Sequence, residues 1–184
     1  MAILEYIDED RIRPISPDIS GALRAIDPLH TKVHAGRALS FCHEFVLADT
    51  TPLYVEIVVG TRDMHMQERL ITTNTSDMQF QLYLNPAITA GASPVAIPFR
   101  NANFNYSESA SSATIRTVES FTGGTLACNT IIYGEDGIGG KSVGSPVASI
   151  AELVFPLASH IGIKVNRRSG TGAAKAFLKI RWYE

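Results

Sequence analysis

The stretch GEDGIGGKS, Gly134 to Ser142, ends in the Gly-Lys-Ser of a phosphate-binding loop. Nucleotide chemistry of that kind needs G-x-x-x-x-G-K-[ST], in which backbone N–H groups wrap the phosphates and the lysine reaches them. With Gly140, Lys141 and Ser142 in register, the first glycine falls on residue 135, which is Glu135. A carboxylate there repels the anion. The loop must also open a helix, yet VGSPV follows, and Gly144 and Pro146 oppose one. The stretch is expected to be a long hairpin loop, not a nucleotide site.

Other chemical patterns stop short in the same way. His43 and Glu44 begin like the zinc motif H-E-x-x-H, but the fifth position is Leu47. The run also alternates as a strand does, which cannot hold two ligands at helical spacing. There is no G-x-S-x-G, hence no nucleophile elbow. The acids of GEDG lack the ligand ladder of an EF-hand. His30, His34, His43, His65 and His160 are scattered. A fold can gather distant histidines, but a lone one on a strand is expected to be a hydrogen-bonded structural residue. Arg167 and Arg168, in a Ser/Gly turn, read as a solvated loop tip before they read as a phosphate grip. Asn101, Asn103 and Asn105 have the chemistry to bind sugar or calcium, but asparagines in loops also cap their own backbone. No catalytic, cofactor-binding or metal residue is assigned, no cofactor is expected, and the chain reads as a non-enzyme.

Composition narrows the classes further. The 184 residues suit one domain with an arm, and the 45% hydrophobic content can fill a core. The formal charge is −2 with Lys and Arg spread out, so no basic stripe points to direct nucleic-acid binding. No apolar run approaches the roughly 18 residues of a membrane helix. MAILEYIDEDR lacks the basic start and long apolar stretch of a signal peptide. The expectation is a soluble protein made in a reducing cytoplasm. Cys42 and Cys128 each lie in an apolar strand-like run without a CxxC partner, and both are expected to be buried thiols.

The elements follow from periodicity. Residues 1–36 carry Pro14, Pro17, Pro28, Gly21 and Gly36 and show no sustained period. They read as an extended N-terminal arm in which SGALRAI suits a single helical turn. The arm is nevertheless rich in apolar residues, including Ile3, Leu4, Tyr6, Ile7, Ile12, Ile15, Leu23 and Ile26. A freely solvated tail is poorer in these, so the arm is expected to dock on something. From residue 37 to 184 the pattern turns to period two. Leu39, Phe41, Phe45 and Leu47 share a face interrupted by His43; Met78, Phe80, Leu82 and Leu84 share another; Leu178, Ile180 and Trp182 oppose Lys179 and Arg181. LYVEIVV, TIRTVESF, TLACNTIIY, AELVF and IGIKV are further strand-like runs. Turn clusters separate them: TTNTSD, NPAITAGASP, NANFN, FTGG, GEDGIGGKSVGSP and NRRSGTG. The expected fold is all-β, an antiparallel β-sandwich or jelly roll with an N-terminal arm.

Several blocks, in order, resemble the capsid decoration or cement proteins of tailed bacteriophages. They are VHAGRALSFCHEF, MHMQERL, IPFRNANFNYSESA, TGGTLACNTIIYG and AELVFPLASHIGIKVNRRSGTG with the closing LKIRWYE. The asparagine block departs from the commoner form of that family because Tyr106 follows Asn105. The resemblance implies a jelly-roll virion protein on the outer capsid surface, made in the host cytoplasm, without enzymatic activity. Its partners would be the major capsid protein and itself, as a dimer or trimer, with no membrane and no direct nucleic acid. In that setting the arm's Ile3, Leu4, Tyr6, Ile7, Ile12, Ile15, Leu23 and Ile26 are the expected interface residues, and Trp182 anchors one end of the core.

Two other readings stand beside it. A carbohydrate- or host-receptor-binding module of the same fold would use Asn101, Asn103, Asn105, Tyr106 and Trp182. A metal-dependent cupin-type enzyme would need two or three histidines and a carboxylate converging inside the barrel.

Overall fold

The computed structural model describes residues 5–8, 11–14, 35–48, 51–73, 76–102, 111–132, 152–168 and 173–184. Within them every regular element is a strand, as the period-two pattern predicts.

Twelve strands build the body. In chain order they follow a short leading hairpin, β1 (Glu5–Asp8) and β2 (Arg11–Pro14). The body begins with β3 (Ala38–Leu47), β4 (Leu53–Val58), β5 (Met64–Thr73) and β6 (Met78–Leu84). A middle excursion holds β7 (Ala87–Thr89), β8 (Arg100–Asn101), β9 (Thr114–Val118) and β10 (Ser120–Thr122). The body ends with β11 (Thr125–Ile132), β12 (Leu153–Phe155), β13 (His160–Arg167) and β14 (Ala174–Tyr183).

Two five-stranded antiparallel sheets result, one in the order β11-β6-β13-β4-β9 and the other in the order β12-β5-β14-β3-β8. We call them the front and back sheets. The long pairings are nested: β3 lies beside β14, β4 beside β13, β5 beside β12 and β6 beside β11. The first strand of the body meets the last, the second meets the last but one, and so inward. This is a long antiparallel ladder rolled into two layers, which is the jelly roll. The middle excursion supplies an extra end strand to each sheet, β8 against β3 and β9 against β4. The expected strand TIRTVESF breaks at Glu119 into β9 and β10, and β10 pairs back with β7 inside the expected turn cluster NPAITAGASP.

Alternation puts one face of each sheet inward. On β6 Met78, Phe80 and Leu82 are buried and on β14 Leu178, Ile180 and Trp182 are, as the sequence pattern requires. Val55, Ile57, Ile161 and Ile163 complete the centre of the front layer. The Trp182 ring meets Phe41 at 6.4 Å and Phe99 at 5.5 Å, both edge-on. The outer face of the back sheet is a solvated ladder, with Lys175 on Glu44 and Lys179 on Glu68 at 2.8 Å each.

Two departures have local causes. Cys42 is exposed and Cys128 half-buried, which corrects the expectation of two buried thiols. The same alternation that turns Phe41 and Phe45 inward turns Cys42 outward. On β5 the ladder with β14 slips at Arg181 and Trp182, where Glu68 and Met66 become the partners and Gln67 is the extra residue. Such a bulge reverses the phase of the strand beyond it. Arg69 therefore faces the core, 3% exposed, and its Nη1 donates to the Met66 carbonyl at 3.5 Å. Burial lowers the Arg69 pKa, and Cys128 nearby works against that shift.

One glycine is fixed by space. A Cβ on Gly162 would sit 2.7 Å from Pro86 Cγ and 2.9 Å from the Phe121 ring. The Phe121 ring packs onto the front sheet where Gly162 leaves room. Gly162→Ala is expected to destabilise the fold by about 1–2 kcal/mol through overpacking. Urea unfolding checks this; an unchanged midpoint would contradict it.

Candidate functional site

The leading hairpin stands apart by its pairing. Tyr6 lies opposite Arg13 and Ile7 opposite Ile12, and β1-β2 form a two-stranded sheet that joins neither large sheet. A lone two-stranded hairpin is marginal in water and gains stability by packing on something else. Of the arm residues expected at an interface, Tyr6, Ile7 and Ile12 fall in this hairpin. Ile3, Leu4, Ile15, Leu23 and Ile26 lie outside the described residues. The expected arm is thus partly a hairpin and not wholly extended. The body takes hold of the chain at Gly36, whose carbonyl accepts from Asn101 Nδ2 at 2.6 Å.

On the body, the outer face of the front sheet carries a polar cluster beside an aromatic one. Register aligns Tyr83, Gly162, Glu56 and Arg116 across four strands. Phe121 covers Gly162 and meets the rings of Tyr54 at 5.0 Å and Tyr83 at 5.5 Å. Beside this cover the Glu56 carboxylate is 1% exposed. Its Oε2 accepts from Arg116 Nε at 2.6 Å and its Oε1 from His160 Nδ1 at 2.6 Å. Facing a carboxylate oxygen, Nδ1 is the ring nitrogen that carries the hydrogen. His160 and Arg116 are 46% and 39% exposed. The cluster ties β4, β9 and β13 together and presents an imidazole and a guanidinium on the surface.

A second cluster sits at one end of the back sheet. Glu152 Oε1 accepts from His65 Nδ1 at 2.8 Å and from the Tyr183 hydroxyl at 2.5 Å. The His65 ring stacks on Tyr183 at 4.6 Å. Burial tends to raise the Glu152 pKa, but the hydrogen bonds from Tyr183 and His65 outweigh it and hold the group below its ordinary value. A carboxyl depressed in the folded state adds stability above its unfolded pKa, and that stability is lost as pH falls through the folded value. Glu152→Gln is therefore expected to flatten the loss of stability as pH falls below about 5. Thermal melts at stepped pH check this; parallel curves for the two proteins would contradict it.

The remaining expected chemistry disperses. His43 lies in the inward phase of β3, half-buried, its ring 4.5 Å from Phe45. His43, His65 and His160 thus have separate neighbours, and His30 and His34 lie outside the described residues. Among the described residues no three His, Cys, Asp or Glu gather as a metal site would require. Trp182 is fully buried, its Nε1 donating to Glu184 at 3.4 Å, and Asn101 is 4% exposed. Neither offers a surface to a sugar. Asn103, Asn105, Tyr106 and the GEDGIGGKS stretch lie outside the described residues. A cleft of about 720 Å³ opens beside β3, lined by Phe41, Cys42, Ile97, Pro98 and Phe99. It forms where β8 stops pairing after Ser40.

Glu56 and Arg69 are buried charged residues that the sequence pattern does not single out. The signal for Glu56 was present: a single acid inside the β-branched run LYVEIVV. No protein-family model, curated protein or solved structure matches the chain.

Proposed function

We propose that the protein is a structural component of a bacteriophage virion. It binds the outer capsid surface and bridges neighbouring major capsid subunits, stabilising the shell against the pressure of packaged DNA. The observation that carries this reading is the division of labour within the chain. A cross-braced jelly roll supplies a stiff body, and the leading hairpin, among the described residues, pairs with neither large sheet. The family resemblance of the body's sequence blocks supports the same reading.

The mechanism is mechanical. Apolar arm residues lie in a groove of the shell or add strand pairing to it. Ordering them costs conformational entropy. Many copies on one lattice offset that cost through effective concentration. A contact of standard size buries on the order of 800 Å² per partner.

The test mixes the protein with purified shells that lack it. Saturable binding at a fixed ratio to capsid subunits is expected, and removal of residues 1–34 abolishes it while leaving the Gly36–Asn101 bond in place. Absence of binding overturns the proposal, and full binding without the leading segment removes that segment from the mechanism. The receptor-binding alternative has lost Trp182 and Asn101 as surface contacts; a sugar-induced rise in melting temperature would revive it through its remaining residues.

A further inference from the structure

The four sheet ends are finished differently. At β9, Ile97 N donates to Ile115 O and Thr117 N to Val95 O, both at 2.8 Å, so the crossing chain covers that edge. The back sheet ends in β12, three residues long, and β8, two residues long, and the stretches of β5 and β3 that these leave unpaired among the described residues carry the charges of Glu68 and Glu44. β11 is the exception. It runs eight residues, TLACNTII, without a charge or a proline. Among the described residues it pairs with β6 alone. Edge strands of monomeric proteins are ordinarily short, charged or covered, because open N–H and C=O groups recruit another strand.

The side chains of β11 add a symmetry. A bulge between Leu126 and Cys128 resets the phase of the strand. Leu126 then lies opposite Tyr83, Asn129 opposite Gln81 and Ile131 opposite Gln79, all on the outer face of the front sheet. Leu126 is 49% exposed and Ile131 36% exposed. The outer face therefore reads apolar, amide, apolar, and it reads the same in either direction about Asn129. Gln79 Nε2 donates to Asn129 Oδ1 at 2.9 Å, which fixes the central amide.

We propose that β11 pairs antiparallel with β11 of a second copy, about a two-fold axis at Asn129. Ile131 then covers Leu126 of the second copy and the reverse, and the two Asn129 side chains face each other. On the inner face Thr130 meets Cys128 of the second copy. The front sheets of the two copies join edge to edge. Every residue of the strand except the bulged Ala127 finds a partner in this one register, and shifting it by one residue puts apolar and polar positions on opposite faces. The same patch serves both copies, so the assembly closes at two. An uncharged strand neither selects nor repels a charged partner, whereas its own copy matches it in length and in side-chain order. This interface goes beyond the capsid reading and holds whether or not a shell is the partner.

Light scattering on the eluting full-length protein at micromolar concentration reads the mass. Twice the chain mass is expected. Leu126→Lys and Ile131→Glu, both at exposed positions, each put a charge opposite an apolar side chain and give the single-chain mass with an unchanged circular dichroism spectrum. Combined in one chain, they set a lysine against a glutamate at both ends of the interface and restore the dimer. A monomeric or trimeric parent protein overturns the proposal, as do single variants that keep the double mass. A combined variant that stays monomeric overturns the Asn129-centred register.

Discussion

Trp182→Ala is expected to destabilise the jelly roll by about 3–5 kcal/mol, the range for removing a large aromatic from a packed core. Trp182 is fully buried on β14, the central strand of the back sheet, between β5 and β3. Its ring is shared by Phe41 of β3 and by Phe99 of the segment that crosses from the front sheet to the back. Truncation therefore opens a cavity at the point where the middle excursion is pinned to the body. The neighbours cannot all collapse into it, because Phe41 is itself fixed in the β3 ladder with β14. Trp182→Phe keeps most of the volume and is expected to cost less, chiefly through packing and the lost Nε1 bond to Glu184. Urea unfolding followed by circular dichroism measures both. A loss below about 1 kcal/mol for the alanine variant would show that this site repacks freely.

Glu56→Gln is expected to cost about 2–3 kcal/mol. The substitution keeps shape and removes charge, so two charge-assisted hydrogen bonds of 2.6 Å weaken together. An amide also offers one acceptor oxygen where two donors, Arg116 Nε and His160 Nδ1, both need one. Removing a partner from a fully buried pair costs more, but Arg116 and His160 are each more than a third exposed and can turn to water. Arg116→Ala, which leaves the Glu56 carboxylate sealed with one donor fewer, is expected to destabilise as well. Thermal and urea unfolding of the two variants check this. Changes within about half a kcal/mol, the scatter of ordinary surface substitutions, would mean the cluster does not brace β4, β9 and β13.

Much of the body was legible because an antiparallel sheet with one dry face writes itself into the chain at period two. β6 and β14 show it plainly, with Phe80, Leu82, Leu178, Ile180 and Trp182 inward and Gln79, Gln81, Lys179 and Arg181 on the other face. Periodicity identifies a strand but not its neighbour, so the nested pairing that makes the jelly roll emerges only in three dimensions. Bulges defeat the pattern locally. Strict alternation from Met64 would send Leu70 inward, and the extra Gln67 sends Arg69 instead. The bulge at Leu126 likewise puts Leu126 and Ile131 on one face, although their odd separation in sequence predicts opposite faces. Glu56 was hidden for another reason. Its outward position suits a charge, and only the three-dimensional packing shows that this position is buried. Of the candidate interface, the apolar content of the leader was readable, while its hairpin was not: EYID and RIRP are too short to show a period.

The role proposed for this jelly roll and its leading segment is mechanical. The most direct measurement heats DNA-filled capsids that lack the protein in the presence of a DNA-binding dye and records the temperature of DNA release. Full-length protein at saturation should raise that temperature, and the body without residues 1–34 should leave it where it was. An unchanged release temperature on shells shown to be fully occupied would contradict the role.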